Sequence, residues 1–212
     1  MIERLSQLRV ALLSDCLDAL GLRNQCLPPH IRPLEEGATL CGTVLPVQLG
    51  ETPPPDPSAP HTYDGMISAI EALVPGDVIV ASTCPVSLWG ELLATAAIAR
   101  GSRGIVCDAW VRDSEDLREL GFATFCAGLH PSDMYGRGDV VSSGNPIEIA
   151  GVRAERGDYV VADRDGVVIV PGAAAAEVCE RAIAKDRGES TVRAELAAGE
   201  PIGAVFARYG IL

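Results

Sequence analysis

The sequence predicts an α/β fold: one layered domain on a mixed β-sheet core, with a βαβ unit in its first half and C-terminal helices. Three observations carry that expectation. Two short apolar runs, Val78-Ile-Val-Ala81 and Ile105-Val-Cys107, flank a helix-length stretch of small and aliphatic residues stopped by Gly101. That is the pattern of two parallel strands joined by a crossover helix. From Asp139 onward, short β-branched runs alternate with Gly-, Asn- and Asp-containing turn signals, as in antiparallel hairpins. After Pro171 the chain becomes Ala-rich and helical to its end. Its 212 residues suffice for a single domain, 1–212, with a real core.

Each element has its own signal. Residues 4–20 set Leu5, Leu8, Leu12, Cys16, Ala19 and Leu20 on one helical face, with Gly21 as the stop and Asp15 and Asp18 on a solvated face. Residues 22–37, with Pro28, Pro29 and Pro33, read as loop, and 38–49 as a strand ending at Gly50. The ten residues 51–60 hold five prolines, a stiff loop too short to link domains. Residues 61–73 read as helix, Val74-Pro-Gly-Asp77 as a turn and 78–81 as a buried strand. Then come a loop over 82–87, a helix over 88–100, a strand over 105–107, a helix over 114–120 ended by Gly121, and a strand over 122–126. The hairpin strands are 140–142, 147–149, 159–162 and 167–170. Their turns are Ser143-Gly-Asn-Pro, Arg156-Gly-Asp and Arg164-Asp-Gly. Residues 173–187 and the tail from Ser190 read as helices.

Composition excludes several functions. A net charge of −12 disfavours nucleic acid and anionic membranes, which need a basic patch. The seven cysteines form no CxxC pair and several lie in apolar runs, which suggests free thiols in a reducing cytoplasm. Three histidines, none near a cysteine pair, argue against zinc. The opening Met-Ile-Glu-Arg-Leu has no apolar leader run and no apolar run nears 18 residues, so the expectation is a cytoplasmic protein without a membrane span.

The site candidates flank the βαβ unit. In Gly104-Ile-Val-Cys-Asp-Ala-Trp-Val-Arg112-Asp113 a buried strand runs out into a loop carrying Asp108, Arg112 and Asp113. An Arg fork grips a carboxylate with two parallel hydrogen bonds, and an adjacent Asp offers hard oxygen to Mg²⁺ or Mn²⁺. Such a dipeptide before a helix is ordinarily a surface ion pair or an N-cap. Gly90-Glu91-Leu92-Leu93 upstream favours more. It opens a helix whose exposed N–H groups attract anions, and its glycine lets a ligand reach the backbone. Glu91 alone is commonly a complement to the helix dipole. Parallel pairing sets both loops at adjacent carboxyl ends of strands, the crevice where open α/β sheets bind ligands.

Three segments in order, Gly90-Glu-Leu-Leu-Ala-Thr-Ala-Ala, Gly104-Ile-Val-x-Asp108-Ala-x-x-Arg112-Asp113 and Gly157-Asp-Tyr-Val-Val-Ala-Asp163-x-Asp165-Gly-Val-Val-Ile-Val-Pro171, resemble the RraA-like family over almost the whole chain. That family holds metal-dependent 4-hydroxy-4-methyl-2-oxoglutarate / 4-carboxy-4-hydroxy-2-oxoadipate aldolases and regulators of ribonuclease activity. The resemblance implies a single layered RraA-like domain. It implies that Arg112 binds the pyruvyl carboxylate and developing enolate, that Asp113 ligates Mg²⁺ or Mn²⁺, and that Glu91 holds metal-bound water. The Leu92 and Leu93 amides, with Gly90, bind substrate, and Asp108 shares the pocket as a catalytic residue. It further implies a homotrimer or homohexamer whose site takes a glutamate from a neighbouring subunit. Glu189 is the candidate, with Glu195 nearby. The segment Ala123-Thr-Phe-Cys-Ala-Gly-Leu-His130-Pro and the proline-rich loop depart from the family pattern, and both bear on substrate specificity. His130 is either a pocket residue or, as loop histidines usually are, structural.

The implied chemistry is cleavage of a 4-hydroxy-2-oxo acid to pyruvate through a metal-stabilised enolate, with oxaloacetate decarboxylation as a side activity. The only lysine, Lys185, lies in the C-terminal helical region, which argues against a Schiff-base aldolase. The base for the C4 hydroxyl is not named by the sequence. A water held by Glu91 is one hypothesis. The competing expectation is a protein-binding regulator of a ribonuclease. A methyltransferase role, an old label in the family, is disfavoured because no Gly-rich nucleotide loop follows the first strand.

Overall fold

The computed structural model describes residues 1–53 and 63–211. Residues 54–60 of the proline-rich loop, and His61 and Thr62 of the expected helix, lie outside the described residues. The elements in order are α1 (Ile2–Leu5), α2 (Val10–Ala19), β1 (Arg32–Pro33), β2 (Leu40–Glu51), α3 (Asp64–Glu71), β3 (Asp77–Ala81), β4 (Ser87–Trp89), α4 (Glu91–Ala99) and β5 (Gly104–Val111). There follow α5 (Ser114–Glu119), β6 (Ala123–Leu129), β7 (Gly138–Ser143), β8 (Ile147–Ile149), β9 (Val152–Ala154), β10 (Tyr159–Asp163), β11 (Gly166–Val170), α6 (Ala175–Ala197) and α7 (Ile202–Tyr209).

A mixed sheet runs in the order β1-β6-β5-β3-β2-β10-β11, with β4 added to β5 and β7 to β2. Its centre is parallel: β2 with β3, β3 with β5 and β5 with β6. Its flank is antiparallel, through β2–β10 and the β10–β11 hairpin. The loop 22–37 joins the two edges. Leu27 N–H donates to Val167 O at 2.9 Å on β11, while Arg32 and Pro33 pair with Cys126 and Phe125 on β6. The sheet is thereby nearly closed, and both edges have partners.

Closure explains why the central strands read as continuous apolar runs. Val78 and Val80 point inward with Val106, Phe125, Val160 and Ile169, capped by Leu27, Ile31 and the β8–β9 hairpin. Ile79, Ala81, Ile105 and Cys107 point outward beneath α3, α4 and α5. Val161, Val168 and Val170 point outward beneath α1, α2 and α6. With both faces buried, the period of two is invisible in the sequence. Among the described residues no helix is long and apolar enough to cross a membrane.

Several expectations need correction. The helix expected over 4–20 is two, α1 and α2, parted before Arg9; Ala19 is exposed, whereas Leu13 and Leu17 are buried. Gly21 does end it, at φ +79°. The helix expected from 88 starts at Glu91, because Ser87, Leu88 and Trp89 form buried β4. The strand expected to end at 107 runs to Val111, so Asp108 lies within β5, not in a loop. The strand expected to end at 126 runs on to Leu129. Strand β7 pairs with β2 and not with β8, whose partner β9 was not expected. The helix expected to end at 187 is one helix from Ala175 to Ala197.

Candidate active site

Strand β4 sets the geometry of the site. It continues alongside β5 where β3 has ended, with Trp89 opposite Val111 and Arg112 N–H donating to Trp89 O at 2.8 Å. The residues that follow, Gly90 on one strand and Arg112-Asp113 on the other, are therefore forced together. The approach is so close that a Cβ at Gly90 would lie 2.5 Å from Asp113 Oδ2 and 3.3 Å from Arg112 Cγ. Asp113 has the left-handed backbone φ 55°, ψ 42°, which short polar side chains tolerate best. The bend turns its carboxylate back, and Oδ2 accepts the Glu91 N–H at 3.2 Å.

Two kinds of donor are left open there. The first turn of α4 has its Ala94 N–H bonded to Gly90 O, and the N–H groups of Leu92 and Leu93 have no acceptor among the described residues. The Arg112 guanidinium makes no hydrogen bond of ordinary length among the described residues. Asp113 Oδ2 is 3.8 Å from its Nε, and Asp133 Oδ2 is 3.6 Å from NH1. Gly90, Leu92, Leu93, Arg112 and Asp113 line one cavity of about 280 Å³, together with Tyr63, Ile67, Leu88, Trp89, Asp133 and Met134. A second cleft shares Arg112 and Asp113 and is lined also by Ser114, Leu129, His130 and Pro131.

The other expected residues lie differently. The Glu91 backbone belongs to the site, but its Oε1 accepts from Thr95 Oγ1 at 2.8 Å, one turn along its own helix. Asp108 is buried on the inner side of β5, away from the cavity lining. Its Oδ1 is 2.7 Å from His30 Nε2, and its Oδ2 accepts from Thr83 Oγ1 at 2.5 Å. Thr83 Oγ1 also accepts the Ala150 N–H, so this network ties the β8–β9 turn to β5. Asp108 therefore does not share the Arg112 pocket within the subunit. Glu189 sits on α6, where Oε2 accepts from Arg9 at 2.9 Å, and Glu195 is held by Arg208 and Tyr209. His130 stacks on Trp110, with ring centroids 4.8 Å apart, and its Nδ1 lies 2.9 Å from Ser132 Oγ.

Two cavity residues escaped the sequence reading, Tyr63 and Asp133. Tyr63 Oη donates to Asp133 Oδ2 at 2.8 Å. Burial, then that hydrogen bond, pushes the Tyr63 phenol up to about 12. No spacing marks either residue. The one available signal was position: Asp133 follows β6, a third parallel strand opening on the same side.

Among the described residues no three His, Cys, Asp or Glu side chains converge. Asp113 Oδ1 accepts no hydrogen bond among the described residues, and a carboxylate oxygen is the hard donor type that Mg²⁺ and Mn²⁺ take.

A family model described as RraA-like, Aldolase/RraA, matches residues 10–169. Protein DlpA of Legionella pneumophila is 26% identical over 95% of this chain, and the chain spans 32% of that protein's length. A Halalkalibacterium halodurans protein named "Putative 4-hydroxy-4-methyl-2-oxoglutarate aldolase" is 31% identical over 80% of this chain and 76% of its own. The solved structure of Streptomyces coelicolor RraAS2, titled an unusual member of the RNase ES inhibitor RraA protein family, superposes with a TM-score of 0.81. It is 27% identical, over 92% of this chain and 96% of that one.

Proposed function

The chain belongs to the RraA-like family, and from that premise we propose that it is a divalent-metal-dependent lyase cleaving 4-hydroxy-2-oxo acids to pyruvate. The observation that carries this reading is an Arg112 guanidinium with no close partner among the described residues, in one cavity with two helix amides and an Asp113 oxygen that are likewise open among those residues. A 2-oxo carboxylate matches each group. Its carboxylate takes the Arg112 fork and the Leu92 and Leu93 N–H groups. Asp113 would hold Mg²⁺ or Mn²⁺ directly and Glu91 through a water; the cation supplies Lewis acidity toward the 2-oxo oxygen. Arg112 stabilises the charge that builds on the pyruvyl oxygens as the C3–C4 bond breaks, and the walls of Leu88, Trp89 and Met134 keep water from screening it. The same groups support oxaloacetate decarboxylation as a side activity.

The proposed assembly is a homotrimer or homohexamer closing over this cavity. Ile67, Leu92 and Leu129 are 50%, 79% and 55% exposed around the two clefts, an apolar rim of the kind that subunit contacts cover. A neighbouring subunit's α6 would bring a Glu189 carboxylate to the metal waters, in exchange for its bond to Arg9. Six buried free thiols support a reducing compartment such as the cytoplasm.

The test is proton exchange at the methyl group of pyruvate in D₂O with Mg²⁺ or Mn²⁺, followed by NMR. The protein should accelerate exchange over metal alone, and Asp113→Asn or excess chelator should abolish the excess. A second reading, regulation of a ribonuclease by protein binding, is favoured by the likeness to Streptomyces coelicolor RraAS2. No exchange, and no cleavage of oxaloacetate or any 4-hydroxy-2-oxo acid, would transfer the assignment to it.

A further inference from the structure

Arg112 is a long, flexible side chain just past the end of β5, and its charge acts on a reacting group only when it is aimed. Two carboxylates from different segments address it. Asp113 Oδ2 stands 3.8 Å from Nε, and Asp133 Oδ2 stands 3.6 Å from NH1. Both separations exceed hydrogen-bond length, so neither contact uses up an N–H of the guanidinium, while each draws one of its nitrogens toward an anion.

Asp133 is itself fixed. It lies in the loop between β6 and β7, and both of its carboxylate oxygens are held. Oδ1 accepts the Tyr135 N–H at 3.1 Å, and Oδ2 accepts from Tyr63 Oη at 2.8 Å. Arg137 NH1 donates to the Asp133 backbone carbonyl at 3.0 Å, and the Tyr63 and Tyr135 rings meet edge to face with centroids 6.3 Å apart. Tyr63 comes from the entry of α3, far away in sequence. Hydrogen bonds to an ionised acceptor are short and directional, so this carboxylate presents Oδ2 to Arg112 from a set position. The Arg112 and Asp133 side chains are 38% and 35% exposed, and an ion pair that open to water adds little to stability. A clamped anion beside a flexible cation instead fixes where the cation points. All three side chains line the candidate cavity.

Resting on the lyase reading above, we infer that Asp133 and Tyr63 are positioning residues. The Tyr63 hydroxyl sets the Asp133 carboxylate, and that carboxylate sets the Arg112 guanidinium against the charge that develops on the pyruvyl oxygens. Binding and rate then separate. Without the Asp133 charge, Arg112 still attracts the C1 carboxylate and has one competing anion fewer, so ground-state affinity holds. Its placement in the transition state is lost, so turnover falls.

The experiment measures kcat and KM for pyruvate methyl exchange with Mg²⁺, using the full chain. Asp133→Asn should lower kcat about ten-fold with KM unchanged or lower, and Tyr63→Phe should lower kcat about three-fold. In an Arg112→Lys background Asp133→Asn should cost less than about two-fold, because the residue acts through the guanidinium; Tyr63→Phe should likewise cost less than about two-fold once Asp133 is Asn. An undiminished kcat in Asp133→Asn, a raised KM with kcat preserved, or an equal loss with and without the guanidinium overturns the inference and leaves the lyase reading standing. An undiminished kcat in Tyr63→Phe alone strikes Tyr63 from it. Absence of exchange and of all cleavage in the unaltered protein overturns the lyase reading, and this inference with it.

Discussion

Gly90 carries no side chain because there is no room for one. Its backbone is extended, with φ −153°, so the requirement is contact and not conformation. Gly90→Ala should push the Asp113 carboxylate and Arg112 apart; a displacement near 1 Å costs on the order of 10²-fold in rate. Pyruvate exchange should fall by about that factor while the melting temperature changes little, and undiminished exchange would show that the close approach is not needed. Tyr63 supplies a second residue-scale expectation. Its phenol sits near 10 in the unfolded chain and about 12 in the fold, so the folded state holds its proton longer. The contribution is complete below pH 10 and is lost as pH rises toward 12. The melting-temperature gap between the protein and Tyr63→Phe should therefore narrow from pH 9 to pH 11; a constant gap would mean that the phenol is not held.

Among elements, the junction of β3, β2 and the turn before β10 is tied by an ion pair whose carboxylate is fully buried. Asp77 is buried at the start of β3. It accepts from Arg156 NH1 at 2.8 Å on each oxygen, from Thr43 Oγ1 at 2.7 Å and from the Val74 N–H at 3.1 Å. Removing one partner of a buried pair leaves the other charge uncompensated, at a cost of about 3 kcal/mol. Arg156→Ala should lower the melting temperature by roughly 10 °C. A change within 2 °C, roughly the effect of less than one kcal/mol at this chain length, would show that water replaces the guanidinium. The same arginine sits in the Arg156-Gly-Asp turn, read from sequence only as a loop signal. Its partner lies 79 positions away, which no local pattern reports.

For the molecule as a whole, closure of the sheet sorts the thiols. Of seven free cysteines only Cys26, on the loop that joins the sheet edges, is exposed. Burial pushes the Cys41 thiol up to about 11 and the Cys107 thiol well above its usual range. A thiol reagent at pH 8 should label one cysteine in the native protein and all seven after denaturation. Rapid native labelling of Cys107 would contradict the closed inner and outer layers. The proposed assembly makes its own claim at this scale. Light scattering at micromolar concentration should give three or six times the 22.2 kDa subunit mass, and a monomer would remove both the ring and the role of Glu189.

The sequence by itself determined the α/β class, the parallel centre, the β10–β11 hairpin and the pairing of the Gly90 helix start with Arg112-Asp113. These are written in local terms: apolar runs of strand length, turn residues at their ends, and a glycine where backbones meet. Tertiary structure alone decided the rest. Leu88 and Trp89 have the character of either a buried strand or a buried helix, and hydrogen bonding to β5 chose the strand. Asp108 was four residues from Arg112 and looked like its neighbour, but inside a strand the side chain is assigned a face by the pleat, and its face met His30 and Thr83. Tyr63 and Asp133 reached the cavity from a helix entry and a loop 70 positions apart. A side chain's partners depend on which distant segments the closed sheet brings to its side, and the sequence, whose signals are local, carries no record of that distance.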